Sequence, residues 1–416
     1  MNMRDLASTA SVAAVLSLGL SVQGGAHEPA GTFTEVTPLG QEVNSPFHDF
    51  ILFESADGLT RAFTSYRPEG SGNADMYIAD RQDTGQDFAE ARNIAELNTV
   101  DHEFANFLSS DGLTLYFTSP FPHPGHLGEY DIYFSKRPSR GDPFGEPQAV
   151  AGINSEDGDI GISLTADGLE AYFNSNRPGG KGGLDIWVAR RSSVDEDEPF
   201  AVFRNVEEVN TARWESVPSI SADGLTLFWS DHFSDVGAGS RPVRPGGSGL
   251  SDIWCASRGS HQDPFGKTVN LGSPINTAGH DSWIRVSPRW PEDGSTIYFS
   301  RCVNCDLNAD MYQATWRVTP ATQFLRGDSN ADGTLDLSDG VSVLNHLFLG
   351  TAAPACLDAA DANDDGKIDL SDAVFDVGYL FLGAAAPPAP GPDACGSDPT
   401  QDGLPECVYG LTNCSE

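Results

Sequence analysis

Two short acidic stretches carry the clearest chemistry in the chain: DSNADGTLDLSD at Asp328–Asp339 and DANDDGKIDLSD at Asp361–Asp372. Each sets oxygen-bearing side chains at loop positions 1, 3, 5, 9 and 12 with glycine at 6, the spacing by which a loop surrounds a hard cation such as calcium. In the first loop these are Asp328, Asn330, Asp332, Asp336 and Asp339, with a backbone carbonyl from Thr334. In the second they are Asp361, Asn363, Asp365, Asp369 and Asp372, with the carbonyl from Lys367. One such loop could be a solvated turn. Two copies, each followed by an apolar run ending LFLG, predict two calcium ions.

A second set of carboxylates recurs at long spacing. Five related turns read SADGLT at Ser55–Thr60 and Ser221–Thr226, SSDGLT at Ser109–Thr114, TADGLE at Thr165–Glu170 and PEDGST at Pro291–Thr296. Six residues before each opening Ser or Thr (Ser287 in the fifth copy, ahead of an inserted PRW) stand Asp49, Glu103, Asp159, Glu215 and Asp281. If the strand before each turn is the innermost one, they bring one carboxylate per repeat to one mouth of a central channel. Like charges there raise one another's pKa or recruit a cation. A residue present in every repeat can equally serve the repeat, as an acceptor for backbone N–H groups.

Positions that break the repeat are therefore the better ligand candidates. His48, His102, Trp214 and His280 each precede one of the carboxylates, and Trp283, Arg285, Trp290, His123, His126 and His232 lie in or beside irregular segments. Aromatic rings beside carboxylates and an arginine can hold a sugar; the same set also occurs as ordinary packing. For catalysis the signals are weak. Glycoside hydrolysis needs two carboxylates about 5 to 9.5 Å apart, and the symmetric set singles out no pair. No G-x-S-x-G elbow is present. His102-Glu103 begins an H-E-x-x-H pattern, but Asn106 in the last position excludes a zincin.

The elements that must position these residues are strands. The Asp-Gly pairs at Gly58, Gly112, Gly168, Gly224 and Gly294 fall where a tight turn needs positive φ. A β-rich run and a Gly/Pro loop follow, and then an anchor: DMY at Asp75, DIY at Asp131, DIW at Asp185, DIW at Asp252 and DMY at Asp310. A fourth strand-like segment follows only four copies, at Phe88–Ile94, Phe144–Val150, Phe200–Val206 and Phe265–Leu271, most ending near Asn98, Asn154, Asn210 or Asn276. An orphan of the same type, GTFTEVTPLG with Asn44 beyond it, begins at Gly31. The first strand should thus complete the last sheet and close a ring with no open edge. The expected fold is mainly β: a five-bladed β-propeller followed by a small α-helical calcium-binding domain.

These residues resemble the WD-like propeller repeats of TolB-like proteins, whose signature is S-x-D-G-x-x-L-Y-F-x-S-x-R, a Gly-rich loop and D-I-[WY]. The match runs from about Gly31 to Thr319 and departs from the pattern at the FPHPGHLG loop, at His232–Gly249 and at the PRW insertion. The paired acidic loops resemble a type I dockerin, or the dockerin-like tails of secreted planctomycete-type proteins, over about Arg326 to Gly383. That resemblance implies a cohesin-like or cell-surface protein partner, chosen in part at loop positions 10 and 11. Here these are Leu337-Ser338 and Leu370-Ser371, the same pair twice.

The chain has 416 residues and a net charge of -36, from 60 acidic against 24 basic side chains. Nucleic acid and anionic membranes are poor partners for such a polyanion. Residues 1–26 read as an export signal, with Arg4, the apolar run Ala10–Val22 and small residues at Gly24-Gly25-Ala26. No other stretch is long and apolar enough for a membrane span. The expected division is 1–26 signal, 27–322 propeller, 323–383 paired loops and 384–416 cysteine-bearing tail. Seven cysteines suit an oxidising compartment. Disulfides are expected among Cys356, Cys395, Cys407 and Cys414 and between Cys302 and Cys305, whereas Cys255 reads as a buried strand residue. Together these readings describe a secreted, non-catalytic binding protein whose propeller takes a glycan or protein ligand. A polysaccharide-degrading glycoside hydrolase and a protein-interaction scaffold are the alternatives.

Overall fold

The computed structural model describes residues 31–194, 198–231, 244–302, 309–318 and 322–400, with 404, 409 and 414. The expected export signal, His232, Cys305 and Cys407 lie outside the described residues. Five four-stranded antiparallel sheets form the blades. Blade 1 holds β2 (Asp49–Glu54), β3 (Thr60–Ser65), β4 (Asp75–Asp80) and β5 (Arg92–Asn93). Blade 2 holds β6 (Phe104–Leu108), β7 (Thr114–Ser119), β8 (Asp131–Lys136) and β9 (Gln148–Ala149). Blade 3 holds β10 (Asp159–Leu164), β11 (Glu170–Ser175), β12 (Asp185–Arg190) and β13 (Val202–Asn205). Blade 4 holds β14 (Glu215–Ile220), β15 (Thr226–Asp231), β16 (Ile253–Ser257) and β17 (Val269–Asn270). Blade 5 takes β18 (His280–Val286), β19 (Thr296–Cys302) and β20 (Asp310–Val318), and its fourth strand is β1 (Gly31–Pro38).

The repeated residues build this frame. At each Asp-Gly turn the glycine takes a positive φ, between 69° and 76°, which a side chain rarely adopts. In the first turn Asp57 accepts from Ser55 Oγ at 2.7 Å and from the Leu59 N–H at 3.0 Å, so the turn carries its own hydrogen bonds. The recurring asparagines clamp the third strand of each blade. Asn98 accepts from Met76 N–H and donates to Met76 O, both at 2.9 Å, and Asn154, Asn210 and Asn276 do the same on Ile132, Ile186 and Ile253. Asn44 clamps Met311 in the same way, so the ring is closed by a side chain as well as by β1.

Outer strands are shorter than the sequence pattern suggests. The segment at Phe88–Ile94 pairs only at Arg92–Asn93, and β9 and β17 are equally brief. A short outermost strand leaves little unpaired backbone for another chain to join. Cys255 also differs from expectation, being only partly buried on β16.

Beyond the propeller lie α1 (Leu337–Leu349), α2 (Leu357–Ala360) and α3 (Leu370–Leu382). Asp336 and Asp369 cap α1 and α3, and Asp339 and Asp372 reach back to the cap N–H, completing a capping box at each. Gly350 and Gly383 end the helices in the left-handed conformation. Residues past 383 fold back on this module. Phe324 and Gly396 exchange backbone hydrogen bonds, the ring of Tyr409 meets Phe324 edge on, and Cys395 is bonded to Cys414. Cys356 is disulfide-bonded as well.

Candidate functional site

All five repeated carboxylates are fully buried at the start of, or just before, the inner strands. Each seals the loop that leads into its strand, accepting from a Ser or Thr four residues earlier. Asp159 accepts from Ser155 N–H at 2.6 Å and Oγ at 2.7 Å, and Asp281 from Thr277 N–H at 2.6 Å and Oγ1 at 2.7 Å; Asp49, Glu103 and Glu215 take equivalent bonds from Ser45, Thr99 and Thr211. Four also meet an arginine: Arg67 on Asp49 and Arg244 on Glu215 at 3.4 Å, Arg177 on Asp159 and Arg301 on Asp281 at 2.6 Å. Burial, ahead of any neighbouring charge, pushes up the carboxyls of Asp49, Glu103 and Glu215. The geometry thus gives these residues to the frame, with no open ring of charge.

Blade 2 departs from that plan. In the other blades the arginine lies over aromatic rings of the second and third strands, as Arg177 does over Phe173 and Trp187. Here His123 meets Phe117 and Tyr133 edge on, with centroids 6.1 and 5.0 Å away. Among the described residues Glu103 is left with hydroxyl and N–H donors only, including Ser119 Oγ at 2.9 Å. His126, from the same irregular loop, lies 3.0 Å from Asp131.

Unrepeated aromatic residues join across three blades on the face where the inner strands begin. Trp283 meets Phe50 edge on at 4.4 Å, and Phe50 lies 5.6 Å from Tyr66 and 5.9 Å from Phe104. Tyr66 stacks on His48 at 5.7 Å and touches His102 at 6.0 Å; His102 stacks on Phe104, which reaches Tyr130. Tyr66 is 37% exposed, and the others, apart from buried Phe50, are half-buried. Burial pushes His48 down to about 4, so its imidazole is neutral at physiological pH. Of the expected ligand residues, this row unites His48, His102 and Trp283. Trp214 packs its indole on Gly183, His280 bridges to Ser251, and Arg285 is buried in the channel wall. Phe50, Tyr66, Phe104 and Tyr130 were not anticipated. Two of them had a signal, because Tyr66 stands where other repeats have Pro120, Asn176 and Cys302, and Tyr130 where they have Ala74, Leu184, Ser251 and Ala309.

In the C-terminal loops the carboxylates at positions 1 and 12 are fully buried: Asp328 and Asp339, Asp361 and Asp372. They accept from N–H groups of their own loops, Asp328 from Asp332 at 3.0 Å and Gly333 at 2.7 Å, Asp361 from Asp365 at 3.1 Å and Gly366 at 2.7 Å. Burial, with neighbouring carboxylates adding to it, pushes Asp339 and Asp372 up to about 6. The buried Arg326 turns to Asp364 at 3.1 Å and Asp398 at 2.8 Å. Asn330 and Asn363 donate to Ser338 and Ser371, and Thr334 donates to Asp332. Among the described residues no three His, Cys, Asp or Glu side chains converge as a ready cage. The donor set fits a hard cation all the same, since it is all oxygen and leaves buried negative charge uncompensated. On the helices that follow, Leu337, Val341, Phe348 and Leu349 are exposed on α1, and Leu370, Val374, Phe381 and Leu382 on α3, each 33 residues from its counterpart.

No family model and no curated protein matches the chain, so the likeness of its C-terminal loops to dockerins rests on their residues alone. Among solved structures it is similar to a protein described as a TolB from Agrobacterium tumefaciens, at 15% identity over 69% of this chain and 89% of that one, with a TM-score of 0.38. An α-L-arabinofuranosidase from Lactobacillus brevis matches at 12% identity over 69% and 95%, TM-score 0.42. Another from Fusarium graminearum matches at 12% over 71% and 85%, TM-score 0.36. With scores this low, the architecture rests on the strand pairing itself: the chain is a five-bladed β-propeller followed by a helical C-terminal region.

Proposed function

We propose that this is a secreted, non-catalytic binding protein whose propeller takes a glycan or protein ligand on the aromatic row over blades 5, 1 and 2. The observation that carries this reading is the split between repeated and unrepeated residues. Every repeated carboxylate is committed to hydrogen bonds or ion pairs, whereas Tyr66, His102, Trp283 and Tyr130 offer half-open ring faces beside neutral His48. Rings of that kind stack on sugars or on apolar side chains at little entropic cost. The C-terminal loops bind two calcium ions, and the paired apolar rows on α1 and α3 dock a cohesin-like or cell-surface protein. Lipid is disfavoured by the charge of -36, and among the described residues no helix is long and apolar enough to cross a membrane.

A glycan array read alongside a hydrolysis assay on the same polysaccharides tests this. Binding without turnover, weakened at least tenfold in Tyr66→Ala and Trp283→Ala, is the expected result. One observation favours the hydrolase alternative: among the described residues Glu103 is the ring carboxylate that meets no arginine, and burial raises its pKa, the direction a general acid requires. Turnover abolished by Glu103→Gln would establish that alternative. Blank arrays with a retained protein partner would establish the scaffold.

A further inference from the structure

Two residues before each turn motif, the inner strands carry Phe53, Phe107, Ser163, Ser219 and, in blade 5, Arg285. The first four are accommodated by the wall. Phe53 and Phe107 meet edge on at 5.8 Å, and Ser163 and Ser219 each accept from the N–H of the next inner strand, Ile220 and Val286, at 3.1 Å. Arg285 is only 1% exposed and reaches to the inner strand of the neighbouring blade 1, its guanidinium 4.5 Å from the ring centroid of Phe53. Its Nη1 donates to the carbonyls of Ile284 at 2.8 Å, Val217 at 3.1 Å and Pro218 at 3.4 Å. Val217 sits at the bulge of β14 with φ 53°, an unusual conformation for a β-branched residue.

The other edge of the guanidinium has no partner among the described residues: Nε and Nη2 are both buried and unsatisfied. Those two nitrogens point their N–H bonds the same way, the fork that grips an anion side-on. Other buried arginines here have carboxylates, as Arg258 has Glu170, Arg137 has Asp80 and Arg326 has Asp398. In a chain of net charge -36, Arg285 alone among the buried arginines described has no carboxylate within ion-pair reach. A buried water could accept from the fork but would leave the charge uncompensated, which is costly in a low-dielectric wall.

We propose that the propeller channel holds a small inorganic anion of about chloride size, gripped by Nε and Nη2 of Arg285 against the ring of Phe53. The inference is independent of the ligand reading for the aromatic row. The test follows the thermal unfolding of the full-length protein in gluconate buffer as chloride replaces gluconate at constant ionic strength. The expected result is a saturable rise of the midpoint by several degrees, absent in Arg285→Met. A midpoint indifferent to chloride, or the same rise in both proteins, overturns the proposal. Should Arg285→Met not fold, wild-type crystals soaked in bromide and measured at its absorption edge decide the matter. An anomalous peak within hydrogen-bond reach of Nε and Nη2 supports the site, and its absence there refutes it.

Discussion

Two sets of buried aspartates and glutamates sit in this molecule under opposite regimes. Those of the propeller come one per blade, each facing donors from its own loop and, in four blades, a guanidinium. Those of the C-terminal module come in facing loops, and the one arginine nearby is turned to Asp364 and Asp398. Asp376 makes the contrast sharper. It is 1% exposed on α3, neither oxygen has a partner among the described residues, and the first helix carries Val343 at the matching position. Charge balanced within the chain lets the propeller frame stand on its own partners; buried carboxylates without such partners are what the proposed calcium ions would compensate, and metal binding of that kind supplies folding free energy.

The comparison can be broken most severely at its frame. Deleting residues 27–40 removes β1 and uncovers the edge of β20, so the cooperative unfolding transition of the propeller should vanish. A truncated protein that melts like the full length would sink the closed-ring account. Next in size are the buried ion pairs. Asp159→Asn strands Arg177 and should cost about 3 to 5 kcal/mol. Glu103→Gln strands no arginine and should cost only about 1 kcal/mol by chemical denaturation. Equal losses would show that the arginines add nothing to the frame.

The module should respond to metal instead. Adding calcium to chelated protein at a hundredfold excess over Kd should stabilise it by about 2.7 kcal/mol per site, seen as recovered helical circular dichroism, while the propeller's β signal stays unchanged. Unaltered helicity from chelator to excess calcium would refute the calcium assignment.

The last test concerns pH and the metal-free module. Burial, then the charges of Asp339 and Asp372, push Asp376 from 3.8 up to about 8. The folded form therefore keeps a proton that the unfolded form releases, and stability should fall as pH rises from about 4 to about 8. Asp339 and Asp372 add to the trend with the same sign. Asp376→Val, which copies Val343, should flatten most of it in melts at pH 4.5 and 8, and an undiminished slope would place the titration elsewhere.

The sequence was most readable where it repeats. The Asp-Gly turns, the clamping asparagines and the orphan strand at Gly31 each recur at one position per blade, and pairing confirms them. The cations of the ion pairs were only partly legible, because Arg67 and Arg177 hold the closing position of the repeat signature but Arg301 comes two residues earlier in its repeat and Arg244 from an inserted loop. The aromatic row was hidden for another reason. Tyr66 and His102 belong to different blades, and no local period records which blades become neighbours. The fold-back of the tail was illegible too, since a single pairing of Phe324 with Gly396 leaves no pattern to count.

The closing strand has a consequence in time. Thr34 and Thr315 meet although 281 residues separate them, so β1 must wait, unpaired, until nearly all of the propeller has been made. Contacts of such separation are slow to form because the loop entropy is lost before any pairing is gained. For that interval the chain exposes two complementary strand edges, of β1 and β20, and each could find its match in a neighbouring copy. Crowded refolding should thus trap exchanged dimers that share a fifth blade, and dilution should favour the monomer.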